Sequence, residues 1–330
     1  MAPSTTKQWT IEGKTGFDAL KFNDSASIPK IGDKDVLGKY PFPAKDGVVP
    51  GSDGAGVVES VGSGVTRFKK GDRVVTLFNQ AHIAGSLDGS SLSTGLGGAV
   101  DGTLREYGVF DEQGLVAAPK NLNDLEASTL SCAGLTAWNA LYGLESRALK
   151  PGQWVLTQGT GGVSIFALQF AKAAGARVIA TTSSASKAET LKSHGADEVI
   201  NYKETPNWGE KAKELTGGVG VQHVVEVGGP TTMAQSLKAI AIDGVITIIG
   251  FIGGMDKNQP TFLETLNNIC TVRGVLVGSR LMMEDMVKAI EANDIHPVLD
   301  EKVFELKDLK EAYEYMWDQK HFGKLTIKVA

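Results

Sequence analysis

Five residues near the middle of the chain combine types and spacing suited to holding an anion. Gly159-Thr160-Gly161-Gly162-Val163 follows the apolar run Gln153-Trp154-Val155-Leu156-Thr157 and opens onto Ser164-Ile165-Phe166-Ala167-Leu168-Gln169. Glycine lets the backbone turn sharply and approach a diphosphate closely. The helix predicted to follow offers unpaired N–H groups and a partial positive charge to that anion. A glycine trio alone often does no more than close a turn. Here strand, turn, helix and a second apolar strand at Val178 come in the order a dinucleotide-binding unit requires. Ser164 stands at the usual third glycine and is small enough for a helix to pack against the strand.

About 20 residues beyond the first glycine, a site for unphosphorylated dinucleotide carries Asp or Glu to accept bonds from the ribose hydroxyls. This chain reads Thr181-Thr182-Ser183-Ser184-Ala185-Ser186-Lys187 there, with no acid before Glu189. Ser183, Ser184 and Lys187 offer donors and a positive charge to a 2′-phosphate, and Tyr202 adds a further donor, so the expected cofactor is NADPH. The bland alternative is that these residues form an N-cap and a solvated helix start.

Four further segments carry a resemblance. Val49-Pro50-Gly51-Ser52-Asp53-Gly54-Ala55-Gly56-Val57-Val58-Glu59-Ser60-Val61-Gly62 leads into Phe68-Lys69-Lys70-Gly71-Asp72-Arg73-Val74. Ser131-Cys132-Ala133-Gly134-Leu135-Thr136-Ala137-Trp138, the glycine turn itself and Gly323-Lys324-Leu325-Thr326-Ile327 follow in order. Together they resemble the medium-chain dehydrogenases/reductases, on their quinone oxidoreductase side, over nearly the whole chain. The resemblance implies a GroES-like barrel on the substrate side, at residues 1–122 and 281–330, with a Rossmann domain inserted at 123–280 and the active site in the cleft between them. It also implies cofactor contacts from Thr136 and from Gly250-Phe251, beside the nicotinamide, and places Ser52, Asp53 and Cys132 near the reacting ring as catalytic candidates. Asp53 reads equally well as a structural acceptor, and Cys132 as a buried apolar thiol.

Zinc-dependent relatives carry His in that first glycine signature, followed by Glu, where this chain has Ser52-Asp53. One thiol and one carboxylate fall short of the three protein ligands of a catalytic zinc, and the cysteine cluster of a structural zinc is missing. His82, His194, His223, His296 and His321 are scattered without ligand spacing, so no metal is expected. Without a Lewis acid, hydride transfer suits a conjugated acceptor in which charge spreads, a quinone or an α,β-unsaturated carbonyl. An NADP-dependent alcohol dehydrogenase or ketone reductase on the same scaffold and a non-enzymatic NADPH-binding sensor are the alternatives.

The elements that must position these residues change in texture along the chain. The first part reads as short strands between glycines, such as Val57-Val58-Glu59-Ser60-Val61 and Arg73-Val74-Val75-Thr76-Leu77, which suits a small curved barrel. A helical stretch from Ala127 to Leu144 follows, and then strands at Arg177-Val178-Ile179-Ala180, Glu198-Val199-Ile200, His223-Val224-Val225-Glu226 and Val245-Ile246-Thr247-Ile248-Ile249 alternate with helices. That alternation predicts an α/β, doubly wound parallel sheet. Two helices, about Met282 to Ala292 and Asp308 to Gln319, precede a final strand from Lys324 to Val329. The strand Cys270-Thr271-Val272-Arg273-Gly274-Val275-Leu276-Val277 resembles the family's sheet edge, and an exposed apolar edge needs cover, so a homodimer is expected. Relatives carry another strand and loop after the Asp35-Val36-Leu37 run, whereas Leu37 here passes through Gly38 straight to Lys39.

Composition excludes several other classes. A net charge of −5 over 330 residues without a basic run speaks against a nucleic-acid partner. No apolar stretch is long enough for a bilayer and the N-terminus has no signal-peptide core. The two cysteines, Cys132 and Cys270, suggest no disulfide framework, and a reducing cytoplasm is the expected compartment.

Overall fold

A computed structural model describes residues 5–12, 16–27, 45–318 and 320–330. The region around Leu37 and Gly38, where the sequence breaks from its relatives, lies outside the described residues. By its contacts the chain divides into two compact units, Met1–Leu135 with Gly278–Ala330, and Thr136–Val277.

The first unit opens with an antiparallel hairpin, β1 (Thr5–Ile11) and β2 (Leu20–Ser27). An antiparallel sheet follows, in which β4 (Arg73–Thr76) lies between β3 (Ala55–Val57) and β5 (Leu115–Ala117). The strand expected over residues 57–61 therefore ends early. Val58 still exchanges hydrogen bonds with Gly71 and Asp72, but the chain then turns away, and Val65 N–H bonds to the Gly62 carbonyl. Short glycine-bounded strands of this kind make a strongly curved, GroES-like sheet rather than a flat one. The core of this unit gathers Trp9, Ile11, Leu20 and Val48 with Leu306 and Leu309 from the C-terminal return, and Trp9 Nε1 donates to the Leu306 carbonyl at 2.6 Å.

The expected long helix from residue 127 to 144 is three pieces, Asp124–Ser128, a π-turn at Leu130–Gly134 and Leu135–Tyr142. The cause is local. Ser128 and Thr129 hydroxyls donate to the carbonyls of Leu125 and Glu126, at 2.8 Å each, and compete with the helix ladder. A π-turn in such a place often marks a functional position, and this one carries Ser131 and Cys132.

The second unit is a six-stranded parallel sheet with helices between its strands. Its strands are β6 (Trp154–Gln158), β7 (Arg177–Thr182), β8 (Glu198–Asn201), β9 (Val221–Glu226), β10 (Ile240–Ile248) and β11 (Thr271–Gly274), and their spatial order is β11-β10-β9-β6-β7-β8. Read from β8, that is the doubly wound order in which the strand sequence reverses between β6 and β9. Ligands of such sheets bind outside the carboxyl ends of the strands at that reversal. Leu156, Ile179, Val224 and Ile246, on four adjacent strands, form the centre of its core with Trp208. The edge strand stops at Gly274 rather than running to residue 277, and Val277 itself takes a left-handed conformation (φ 52°) that an extended strand cannot contain. Asn139 Nδ2 donates to the Val277 carbonyl at 2.6 Å and holds it there.

The chain then returns to the first unit through the helices Arg280–Asn293 and Leu309–Trp317 and the strands β12 (Leu299–Glu305) and β13 (Lys324–Lys328). Among the described residues no helix is long and apolar enough to cross a membrane.

Candidate functional site

The glycine turn sits where the sequence pattern puts it, between the carboxyl end of β6 and the helix Gly162–Ala173. Gly159 is left-handed (φ 76°), a conformation that costs other residues about 1–2 kcal/mol. A Cβ built on Gly159 or Gly161 would meet nothing within 4 Å, so the space above the turn is open to a ligand. Gly161 caps the helix with no side chain in the way, leaving the first-turn N–H groups for an anion. Ser164 does more than save space. It is buried, and its hydroxyl donates to the Gln158 carbonyl at 2.6 Å, pinning the helix to the last residue of the strand. Thr160 and Val163 complete the turn, and a dinucleotide's diphosphate fits this cradle.

After β7, Ser184 caps the helix Ala185–Ser193 and accepts from the Lys187 N–H at 3.5 Å. Ser184 therefore fills the capping role that its sequence position allows. Its hydroxyl also shares a 2.8 Å hydrogen bond with Ser186. Ser183 and Lys187 are half-buried, and Lys187 has no ion-pair partner among the described residues. Tyr202 follows β8, is exposed, and its N–H bonds to the Thr182 carbonyl at 3.0 Å, which brings the β8 end beside the β7 end. Thr136 is buried at the start of the helix Leu135–Tyr142. Gly250 and the exposed Phe251 follow β10. The turns after β6, β7, β8 and β10 thus hold all of the cofactor candidates except Thr136, within one unit.

In the first unit, Ser52, Asp53 and Cys132 come from two segments tied together by a threonine. Thr76 Oγ1 donates to the Ser52 carbonyl at 2.8 Å and hydrogen-bonds Ser131 Oγ at 3.1 Å, linking the loop before β3 to the π-turn. Thr103 Oγ1 donates to the Asp53 carbonyl at 2.6 Å. The carboxylate of Asp53 faces Lys324 of β13, with Nζ 3.0 Å from Oδ2. Burial opposes the charge of Lys324, but the charges of Asp53 and Cys132 and the bond to Asp53 outweigh it and hold the ammonium pKa above its usual range. A cavity of about 1460 Å³ in this unit is lined by Ser52, Asp53 and Lys324 among others.

That arrangement bears on a metal. A catalytic zinc needs three ligands and an open position. Here Ser52 replaces the imidazole position of zinc-dependent relatives, and the Asp53 carboxylate is already engaged by a cation that would repel the ion. Among the described residues no three His, Cys, Asp or Glu side chains gather where they could hold one. These residues do not fit a zinc ion.

Three polar residues of the two sites were not singled out from the sequence. Lys324 was visible only as part of the tail motif, and its partner 271 positions away is a tertiary fact. Gln158 and Glu226 are the last residues of β6 and β9, and a polar residue in a doubly covered strand is the signal that points to them.

Comparison with known proteins agrees with this geometry. A family model described as "Alcohol dehydrogenase GroES-like domain" matches residues 22–120, and one described as "Zinc-binding dehydrogenase" matches residues 162–292. The second match excludes Ser52, Asp53 and Cys132. A zinc-type alcohol dehydrogenase-like protein of Schizosaccharomyces pombe is 46% identical over 335 positions, covering 96% of each chain. That span exceeds the 330 residues of this chain, so the relative carries residues without a counterpart here. An alcohol dehydrogenase of Rhizobium meliloti is 33% identical, over 77% of this chain and 74% of its own. A solved NAD-dependent alcohol dehydrogenase is 30% identical with a TM-score of 0.83, covering 98% of this chain and 100% of that one. A crotonyl-CoA carboxylase/reductase, AntE V350A in complex with NADP, shares the fold at a TM-score of 0.85 and 22% identity, covering 100% of this chain and 96% of that one. Likeness of this extent, on top of a glycine turn at the reversal point of a six-stranded parallel sheet, places the chain in the medium-chain dehydrogenase/reductase superfamily as an NAD(P)-dependent oxidoreductase.

Proposed function

We propose that the chain is an NADPH-dependent, zinc-independent reductase of quinones or α,β-unsaturated carbonyls. The observation that carries the cofactor choice is the turn after β7, where Ser183, Ser184 and Lys187 stand with no carboxylate before Glu189. A cation without an ion-pair partner among the described residues, beside hydroxyl donors, favours a phosphate dianion over bare ribose hydroxyls. When bound, the nicotinamide supplies the hydride, and the chain's own residues do the rest. Gly159, Thr160, Gly161, Gly162 and Val163 hold the diphosphate, while Gly250, Phe251 and Thr136 orient the ring.

The substrate class is supported by Ser52 standing where an imidazole metal ligand would be: without a Lewis acid, developing negative charge is best tolerated by an acceptor that delocalises it. Ser52, Asp53 and Cys132 remain the candidates for contact with that acceptor. A second reading, interconversion of an alcohol and a ketone on this scaffold, is favoured by the names of the alcohol dehydrogenase relatives. We also assign a homodimer through the β11 edge, because Phe262, Leu263 and Leu266, in the segment that leads into that strand, are exposed.

One experiment separates the readings. Purified protein treated with a chelator is assayed with NADPH and with NADH against 1,2-naphthoquinone, a simple enone, and a panel of ketones and alcohols. The expected result is NADPH oxidation with the quinone or enone at an unchanged rate after chelation. Activity that disappears on metal removal and returns with zinc, or turnover confined to alcohols and NAD, would overturn the proposal.

A further inference from the structure

Glu226, the last residue of β9, is fully buried and has no cationic partner among the described residues. It is surrounded by donors instead. Oε1 accepts from the Gly229 N–H at 2.9 Å and from the Thr232 hydroxyl. Oε2 accepts from Gln158 Nε2 at 2.7 Å and from the Ser236 hydroxyl. The other end of the Gln158 amide then does a second task, because its Oε1 accepts from the N–H groups of both Val227 and Gly228, at 3.1 Å each.

The chain of bonds continues outward. The carbonyls of Val227 and Gly228 accept from the N–H groups of Ile252 and Gly253, at 3.1 and 3.0 Å, in the turn that follows β10. The Gln158 carbonyl accepts from Ser164, and Gln158 is joined directly to Gly159. Space is tight along this route. A Cβ on Gly229 would lie 2.8 Å from Phe251 Cα, and one on Gly253 would lie 2.0 Å from Thr231 Oγ1. One amide–carboxylate pair therefore knits three turns at the carboxyl ends of β6, β9 and β10.

We infer that Gln158 and Glu226 are a positioning pair for the dinucleotide, setting the mutual placement of the diphosphate turn and the nicotinamide-side turn without touching the cofactor. The polarity of the pair is forced. Oε1 of Glu226 faces a backbone N–H that can only donate, so an amide nitrogen is excluded there. Were the new amide nitrogen of a Glu226→Gln variant placed on the other side, Gln158 would have to flip, and its own NH₂ would then face the N–H groups of Val227 and Gly228. Either arrangement leaves a buried donor facing a donor. Two oxygens rather than an amide are thus required at this position by the hydrogen-bond pattern, not by any charge partner. The inference rests on nicotinamide-cofactor binding and not on the choice of acceptor.

The test is Glu226→Gln, with Val224→Ala on the same strand as a control that destabilises the core without touching this network. Cofactor Kd is measured by titration with NADPH and NADH, KM for the acceptor and kcat at saturating cofactor by steady-state kinetics, and folding by circular dichroism. Glu226→Gln is expected to raise the cofactor Kd at least tenfold while kcat and acceptor KM stay within about threefold, and Val224→Ala to leave Kd within threefold at an equal or larger loss of Tm. Should Glu226→Gln not fold, Gln158→Met, which keeps length and removes the amide, is expected to give the same split. A folded Glu226→Gln, or Gln158→Met in its place, with wild-type Kd overturns the inference, as does a Kd loss that Val224→Ala reproduces. Unphosphorylated cofactor bound more tightly by the wild-type protein would instead count against the proposed NADPH preference and leave the positioning pair standing.

Discussion

One buried histidine in the parallel-sheet unit makes that unit's stability depend on pH. His223 lies on β9 opposite Val155 of β6 and Val245 of β10, in the centre of the parallel sheet, and is 4% exposed. Its Nδ1 makes no hydrogen bond among the described residues, and burial lowers its pKa from 6.5 to about 4. The unfolded chain therefore takes up this proton at a higher pH than the folded one. Its contribution is complete above pH 6.5, is withdrawn as the pH falls towards 4, and levels off below that. The full span corresponds to roughly 3 kcal/mol, of which about 2 kcal/mol is lost by pH 5. His223→Leu, which cannot be protonated, is expected to lose about 2 kcal/mol less than wild type between pH 7 and pH 5. Thermal melts at the two pH values measure this, with the transition of the cofactor-binding unit identified as the one that NADPH shifts upward. Parallel pH dependence in the two proteins would refute the reasoning, whatever their absolute stabilities, because only the proton on His223 distinguishes their pH responses.

Two further predictions concern recognition. Lys187→Glu puts a carboxylate where the 2′-phosphate is expected, removing a charge-assisted bond of about 1.5–3 kcal/mol. The NADPH Kd should rise by roughly tenfold to a hundredfold with NADH affinity within threefold, as read by calorimetric titration, and an unchanged ratio would rule Lys187 out of phosphate binding. For assembly, Phe262→Asp with Leu266→Asp is expected to convert a dimer to a monomer in light scattering without altering the circular dichroism spectrum. A wild-type protein that runs as a monomer would dismiss the β11 edge as an interface.

Local order along the chain was enough for the larger part of the fold. Strand, glycine turn, helix and strand around Gly159 are consecutive, and each is dictated by residues within a few positions, so the parallel sheet and the glycine turn at its carboxyl edge were legible directly. The same locality explains the boundaries that differ. The break at Leu130–Gly134 depends on whether the Ser128 and Thr129 hydroxyls turn back onto carbonyls, and the path beyond β11 on a left-handed Val277 held by Asn139 of the helix Leu135–Tyr142.

The residue types at the site were likewise a property of sequence. Serine at position 52 in place of an imidazole, and hydroxyls with Lys187 in place of an acid, are choices made one residue at a time. What those residues face was decided only by folding. Asp53 meets Lys324 across 271 positions, and Gln158 meets Glu226 across 68. Hydrogen bonds and ion pairs between strand ends act over about 3 Å, and the closeness of two such ends is set by strand order in the sheet rather than by separation along the chain. A linear pattern can therefore name the donors and acceptors of this protein, but the packing of strands chooses their partners.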